Sequence, residues 1–238
     1  MQAGVGLACC FHKALAETGR GAGLVKVWKI DNSGEVFYIS CSFEESSMPE
    51  PAINPADFKS LDALLAELPE MLAAAPKEEG RLDLIVMRPE PDARVLPESF
   101  EVRAAEGVPG DHWKNGTGYA LEDGSGDPDA QICMMMSGCI RAIAGDRENW
   151  SPASDNFFLD KDLTPANMPP GTRFAIGSAE FVVTKLPHNG CQKFIDRYGR
   201  DACVFVNTGE GKTHRLRGIY ARVTRDGRVN VGDVVRKL

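Results

Sequence analysis

The sequence predicts a mainly β protein with α elements, built as a β-barrel with short peripheral helices, and three observations lead there. The chain carries 24 Gly and 15 Pro in 238 residues, without period, which is more punctuation than a helical bundle tolerates. Its apolar runs are mostly of strand length and are separated by turn sequences. Many short strands are most stable when closure removes their exposed edges.

Residues 24–30 and 35–43 alternate in polarity around Asp31-Asn-Ser-Gly34, the pattern of a β-hairpin. A proline-rich stretch then leads to Asn54, a candidate N-cap with Pro55 at the first helical position. Phe58, Leu61, Leu64, Leu65, Leu68 and Leu72 follow on one helical stripe. Pro69 lies inside that stripe and is expected to kink or split the helix, since it removes an amide donor and crowds the preceding turn. Strands are expected at 82–88, ending at Arg88, and at 98–104. Turns flank Asp111-His-Trp-Lys114. Residues 131–136 read as a buried strand, with Ser137 capping a short helix to residue 144. Beyond residue 171, strands are expected at 173–176, 179–186, 201–206, 210–216, 219–224 and 232–236, and a helix at 191–198. The organisation expected is a leader and hairpin region at 1–53, an amphipathic helix and linker at 54–80, and the main domain at 81–238.

The net charge is −7, which argues against nucleic acid as a partner because such binding rests on phosphate neutralisation. The distribution is uneven: residues 171–238 hold 13 Lys and Arg against 6 Asp and Glu. That basic end reads either as a salt-bridged surface or as a pocket for a small anion. No uncharged stretch approaches the roughly 18 apolar residues of a membrane span, so no membrane partner is expected. Seven unevenly spaced cysteines without a Cys-x-x-Cys pair give no disulfide framework, and the start lacks a secretory pattern. A cytoplasmic location is the expectation.

Asn207-Thr-Gly-Glu-Gly-Lys-Thr213 lacks the first glycine of a phosphate loop, and Gly19-Arg-Gly-Ala-Gly23 precedes a strand instead of opening a helix. Both read as turns. His188 and Cys191 are close enough to share a metal, but two further ligands are missing from the pattern, so no zinc is expected. Cys191 stands out for another reason. It follows His188-Asn-Gly190 at the expected start of a helix with Asn189 as cap, where free amides, Lys193 and Arg197 would favour a thiolate able to carry sulfur or bind a soft metal. The alternative is a half-buried packing cysteine.

Gly107-Val-Pro-Gly-Asp111, Met168-Pro-Pro-Gly-Thr-Arg-Phe-Ala-Ile-Gly177, Phe181-Val-Val-Thr184, His188-Asn-Gly-Cys191, Leu216-Arg-Gly-Ile-Tyr-Ala-Arg222 and Gly227-Arg-Val-Asn-Val-Gly-Asp-Val234 occur in an order and spacing that resemble a MOSC domain, the module named for the C-terminal region of molybdenum cofactor sulfurases. Asn115-Gly-Thr-Gly118 stands where many members carry His-Gly-Gly. The resemblance, from about Leu82 to Leu238, implies a MOSC-type (pyruvate-kinase-like) barrel. It also implies that Cys191 accepts sulfur or binds the molybdenum of a molybdopterin cofactor. A cysteine desulfurase or other sulfur donor would be the partner for sulfur transfer, and molybdenum-pterin redox chemistry is the other activity implied. No lysine is assignable to pyridoxal phosphate. An anionic cofactor would be held by Lys193, Arg197, Arg215 and Arg217, with Arg88 from another strand and His188 and Asn189 beside the cysteine; Asp111 and His112 follow a glycine-rich turn where backbone can approach a ligand. The competing reading keeps the barrel as a non-catalytic binding module.

Overall fold

The computed structural model describes residues 52–116 and 118–238, together with the backbone of two strands at 24–30 and 36–42. The apolar leader at 1–11 with Cys9 and Cys10, the glycine-rich 19–23, the turn at 31–35 and the first prolines of 48–51 lie outside the described residues. The chain divides into two compact units, Met1–Met48 and Pro49–Leu238. In the first, β1 (Leu24–Ile30) pairs antiparallel with β2 (Val36–Ser42), Leu24 opposite Ser42 and Ile30 opposite Val36, as the alternating polarity predicts.

The second unit is built on a closed barrel. Its strands are β3 (Glu79–Ile85), β5 (Ile132–Met136), β6 (Phe157–Asp160), β7 (Arg173–Ile176), β8 (Ala179–Pro187), β9 (Ile219–Arg225) and β11 (Val234–Lys237), in the spatial order β11-β3-β6-β5-β9-β8-β7, with β7 returning to β11. The short β4 (Ser99–Val102) and β10 (Gly227–Asn230) form a separate pair. All barrel pairings are antiparallel except β5 with β6. A parallel pair needs a crossover, and α2 (Ser137–Ala144) lies within it. The interior is apolar: Leu82, Ile132, Met134, Phe157, Phe174, Phe181, Ala221 and Val235 are all fully buried, and Phe174 stacks on Phe181 at 5.3 Å between ring centres.

Four local expectations are corrected. Asn54 caps a 3-10 turn at Pro55–Asp57, while α1 (Leu61–Ala74) starts later, capped by the Ser60 hydroxyl, which accepts from the Ala63 amide at 3.3 Å. Pro69 neither splits nor ends α1: it and Leu65 are exposed, so the carbonyl that loses its helical donor lies on the side open to solvent. Ser137 is the first helical residue of α2 and not its cap; its buried hydroxyl makes no hydrogen bond. The strands expected at 201–206 and 210–216 are helices, α4 (Arg200–Asn207) and α5 (Gly209–Thr213). In α4 the β-branched and aromatic residues suggested a strand, but Ala202, Cys203, Phe205 and Val206 form one buried helical face, and that packing outweighs local propensity. Two short strands, β6 and β10, were missed.

The leucine stripe of α1 packs on α2 and α4, and only part of it is covered. Leu64 is 1% exposed and Leu65 38%. Leu64→Ala should therefore cost about 2–5 kcal/mol and Leu65→Ala less than about 0.5 kcal/mol. Equal shifts of the two urea midpoints would contradict this packing.

Candidate functional site

The register of the barrel sets up the site. Ile85 pairs with Phe157, Phe157 with Met134, Met134 with Ile219 and Ile219 with Pro187, a continuous row of backbone partners across five strands. Arg88, Asp155, Cys133, Arg217, Tyr220 and His188 each fall within three residues of that row. Segments distant in the chain thereby converge on one cavity of about 500 Å³. Its wall includes Arg88, Arg94, Arg197 and Arg217, with Lys193, Asp92 and the exposed Cys191 also contributing.

Of the ten residues expected at the site, eight line this cavity: Arg88, His112, His188, Asn189, Cys191, Lys193, Arg197 and Arg217. Asp111 does not. Its buried carboxylate grips the Arg88 guanidinium bidentately, with Nε to Oδ2 at 2.8 Å and Nη2 to Oδ1 at 2.9 Å. It also accepts from Asn156 Nδ2 at 2.9 Å and from the Trp113 amide at 3.0 Å. Burial pushes Asp111 up, but the Arg88 hydrogen bond and charge outweigh it and hold the carboxyl below the usual range. Asp111 thus positions Arg88, which donates onward from Nη1 to the Ser154 carbonyl at 2.7 Å and to Cys133 Sγ at 3.1 Å. His112 follows in the same 3-10 turn, its Nδ1 2.8 Å from the Arg88 carbonyl. Arg215, also expected to hold the anion, does not line the cavity either: its guanidinium donates to the Leu163 and Met168 carbonyls instead.

On the opposite wall Arg217 donates to Asp155 Oδ2 at 2.7 Å and to the Ala153 carbonyl at 2.9 Å, with its guanidinium 5.0 Å from the centre of the Phe194 ring. Burial pushes Asp155 up to about 6 against the pull of Arg217, so the pair is ionised at neutral pH. Behind it, His188 Nδ1 stands 3.5 Å from Asp155 Oδ1, and burial followed by the charges of Arg217 and Arg88 keeps the imidazole neutral. His188 Nδ1, Asp155 Oδ1 and Arg217 Nε are buried with no hydrogen-bond partner.

The rim carries the remaining charge. Arg197 donates to the Pro152 carbonyl at 2.6 Å and to the Ser154 hydroxyl at 3.2 Å. Asp92, held at a positive φ of 66°, bridges Arg197 and Lys193, the latter at 2.8 Å. Arg94 reaches the Ser154 hydroxyl, and burial together with repulsion from Arg197 and Arg88 pulls its pKa down to about 10. Such crowding of cations favours an anion in the cavity.

Cys191 sits where the wall opens. It is itself the N-cap of α3 (Gln192–Tyr198), with an extended backbone and no capping bond from its side chain, which corrects the expectation that Asn189 fills this position. Asn189 lines the cavity instead. Cys133, Cys139 and Cys203 are buried, and burial raises each of their pKa values, that of Cys139 to about 12. Sequence reasoning missed Asp92, Arg94, Cys133, Tyr119 and Tyr220 on the wall, and Asp155 behind it. Nothing local marks these residues; register and loop packing bring them in.

The fold and site define a closed-barrel protein with an arginine-walled cavity and an exposed cysteine at its opening. Residues 122–236 match the model of the MOSC domain family. Solved structures similar to it include YuaD from Bacillus subtilis, at 16% identity and a TM-score of 0.45, covering 66% of this chain and 94% of that one. YiiM from Escherichia coli is 18% identical with a TM-score of 0.44, covering 66% and 69%. YiiM from Geobacillus stearothermophilus is 17% identical with a TM-score of 0.43, covering 67% and 75%. No curated protein matches the chain. Among the described residues no helix is long and apolar enough to cross a membrane.

Proposed function

We propose that the cavity binds a molybdopterin-type anionic cofactor or serves sulfur transfer, with Cys191 as the sulfur carrier or molybdenum ligand. The observation that carries this reading is the convergence of four guanidiniums on one cavity with an exposed thiol at its opening. Among the described residues no three His, Cys, Asp or Glu side chains are grouped to hold a metal. A metal that arrives with its own dithiolene ligands needs only one protein thiol, so the residues present fit a pterin-borne metal better than a bare ion. Such a cofactor, when bound, would supply two-electron redox or sulfur chemistry at the metal.

The chain's own residues would then divide the work. Arg94, Arg197 and Lys193 at the rim would take a phosphate. The buried Arg217 Nε and His188 Nδ1 would meet polar ring atoms deeper in the cavity. Asp111 would hold Arg88 in register throughout. Used as a sulfur transferase, the same site would receive a sulfane sulfur on Cys191 from a cysteine desulfurase or another donor.

The test is elemental and pterin analysis of the native protein expressed with cofactor supply, beside chemical loading of a persulfide. Molybdenum with a fluorescent oxidised pterin, or a persulfide on Cys191, supports the reading, and Cys191→Ser should remove either while leaving the melting temperature unchanged. Absence of all three in the native protein would instead identify a binding module on a retained scaffold.

A further inference from the structure

We propose that Cys203 is the resolving thiol for Cys191: it attacks a sulfur made electrophilic on Cys191, closes a Cys191–Cys203 disulfide and discharges the carried sulfur as hydrosulfide. This rests on the sulfur-carrier reading above and adds the step that empties the carrier.

The geometry comes from a clamp on Gly190. The Asn207 side chain, on α4, holds the Gly190 peptide from both sides. The Gly190 amide donates to Asn207 Oδ1 at 2.8 Å, and Asn207 Nδ2 donates to the Gly190 carbonyl at 2.9 Å. The same Nδ2 lies 3.3 Å from Cys203 Sγ. One amide side chain therefore ties the loop before Cys191 to the helix that carries Cys203. The clamp is close enough that a Cβ added to Gly190 would stand 3.1 Å from Cys203 Sγ. Since consecutive Cα atoms are about 3.8 Å apart, that contact puts the Cys203 sulfur within about 8 Å of the Cys191 Cα. Disulfides join Cα atoms about 4.4–6.8 Å apart, so closing the bond takes a rotation of the Cys191 side chain together with a movement of the loop that carries it. Cys191 is free to rotate: its backbone is extended and its side chain makes no capping bond. Burial raises the Cys203 thiol, and the neighbouring charge of Cys191 raises it further.

The pair is asymmetric in the way a carrier and a resolver should be. Cys191 is exposed and can meet a donor; Cys203 is 7% exposed and is shielded from one. Cys133 is the other thiol on the cavity wall, but Arg88, Asn156 and Ser154 hold it against the strand framework. In the step proposed, Cys203 loses its proton to solvent and its thiolate attacks the inner sulfur of the Cys191 persulfide. The bond between the two sulfurs of that persulfide breaks, and its electron pair leaves with the outer sulfur as hydrosulfide. The carried sulfur is reduced as the two thiols are oxidised, so no external oxidant enters.

The experiment loads the full chain with cysteine persulfide, removes excess reagent, and follows intact mass, hydrosulfide release and the disulfide peptide map together. Wild type should gain one sulfur atom, then lose it with two hydrogens as one equivalent of hydrosulfide appears, and the new bond should map to Cys191 and Cys203. Cys203→Ser and Cys203→Ala should keep the added sulfur and slow release by about tenfold or more. Unaltered release in both variants, or a bond mapping to Cys133 or to Cys9, Cys10 or Cys41, would overturn the proposal. A second arm treats unloaded wild type with diamide, which needs neither sulfur uptake nor a variant. A Cys191–Cys203 bond there supports the pair even if Cys191 accepts no sulfane sulfur, in which case the carrier reading alone falls. Its absence counts against the pair.

Discussion

Arg217→Leu should lower the stability of the barrel by about 3–5 kcal/mol, because it strands a carboxylate that the fold has already removed from water. Arg217 and Asp155 are both buried, at 7% and 0% side-chain exposure, and share a 2.7 Å hydrogen bond. Burial already pushes Asp155 up to about 6. Without the guanidinium that value should climb through neutrality. The sign follows from linkage. A carboxyl raised in the folded state favours folding fully only below its unfolded value, and that advantage is lost as pH rises towards the folded value. Wild type should lose this contribution between its ordinary value near pH 4 and about pH 6, and the variant should go on losing it at higher pH. Urea titrations at several pH values check this, with the double variant Arg217→Leu, Asp155→Leu as control. Removing both charges should recover much of the loss, since the larger cost lies in leaving one partner alone. A single variant as stable as wild type at pH 7 would show the pair to be dispensable.

Asp111→Ala is the second large effect, again about 3–5 kcal/mol, and it reaches the site as well as the fold. Asp111 is the anchor of Arg88, Asn156 and the Trp113 amide at once, so its loss frees a guanidinium whose side chain is only 11% exposed. Arg88 should then move, and the Ser154 carbonyl and Cys133 thiol should lose their donor. Here the pH dependence runs the other way. Asp111 is depressed in the folded state, so its contribution is complete above the usual carboxylate value and fades as pH falls through the lower native one. The variant should lack that part of the acid limb. Stability measured from pH 7 down to pH 3 tests it, and an acid limb identical to wild type would remove Asp111 from this role.

Much of the site was legible because its residues lie in short segments with strong local character. His188, Asn189 and Cys191, the basic Lys193 and Arg197 after them, Arg217 before a strand and Arg88 after another all pointed to one anionic site, and all of them line the cavity. What escaped is tertiary. Asp92 and Arg94 sit in a proline-bearing loop with no periodicity, and Tyr220 and Cys133 look like ordinary strand residues. Asp111 was legible as a polar residue beside a glycine turn, but whether its carboxylate faces a ligand or Arg88 depends on where the β3 strand ends in space.

The sequence by itself determined the class of the fold, because alternation, turn residues and strand-length apolar runs act within a few residues of one another. It also determined that a cysteine follows a tight glycine loop in a basic region. Only the tertiary structure decided that residues 201–206 and 210–216 are helices, that Pro69 lies on the solvent side of its helix, and that Leu64 is buried while Leu65 is exposed. What decides is which face is buried against a partner remote in the chain, an energy that can exceed the small differences in local propensity. The same holds for the cavity: its wall comes together because the row from Ile85 to Pro187 aligns five neighbouring strands of the barrel, and that register is a property of those strands together.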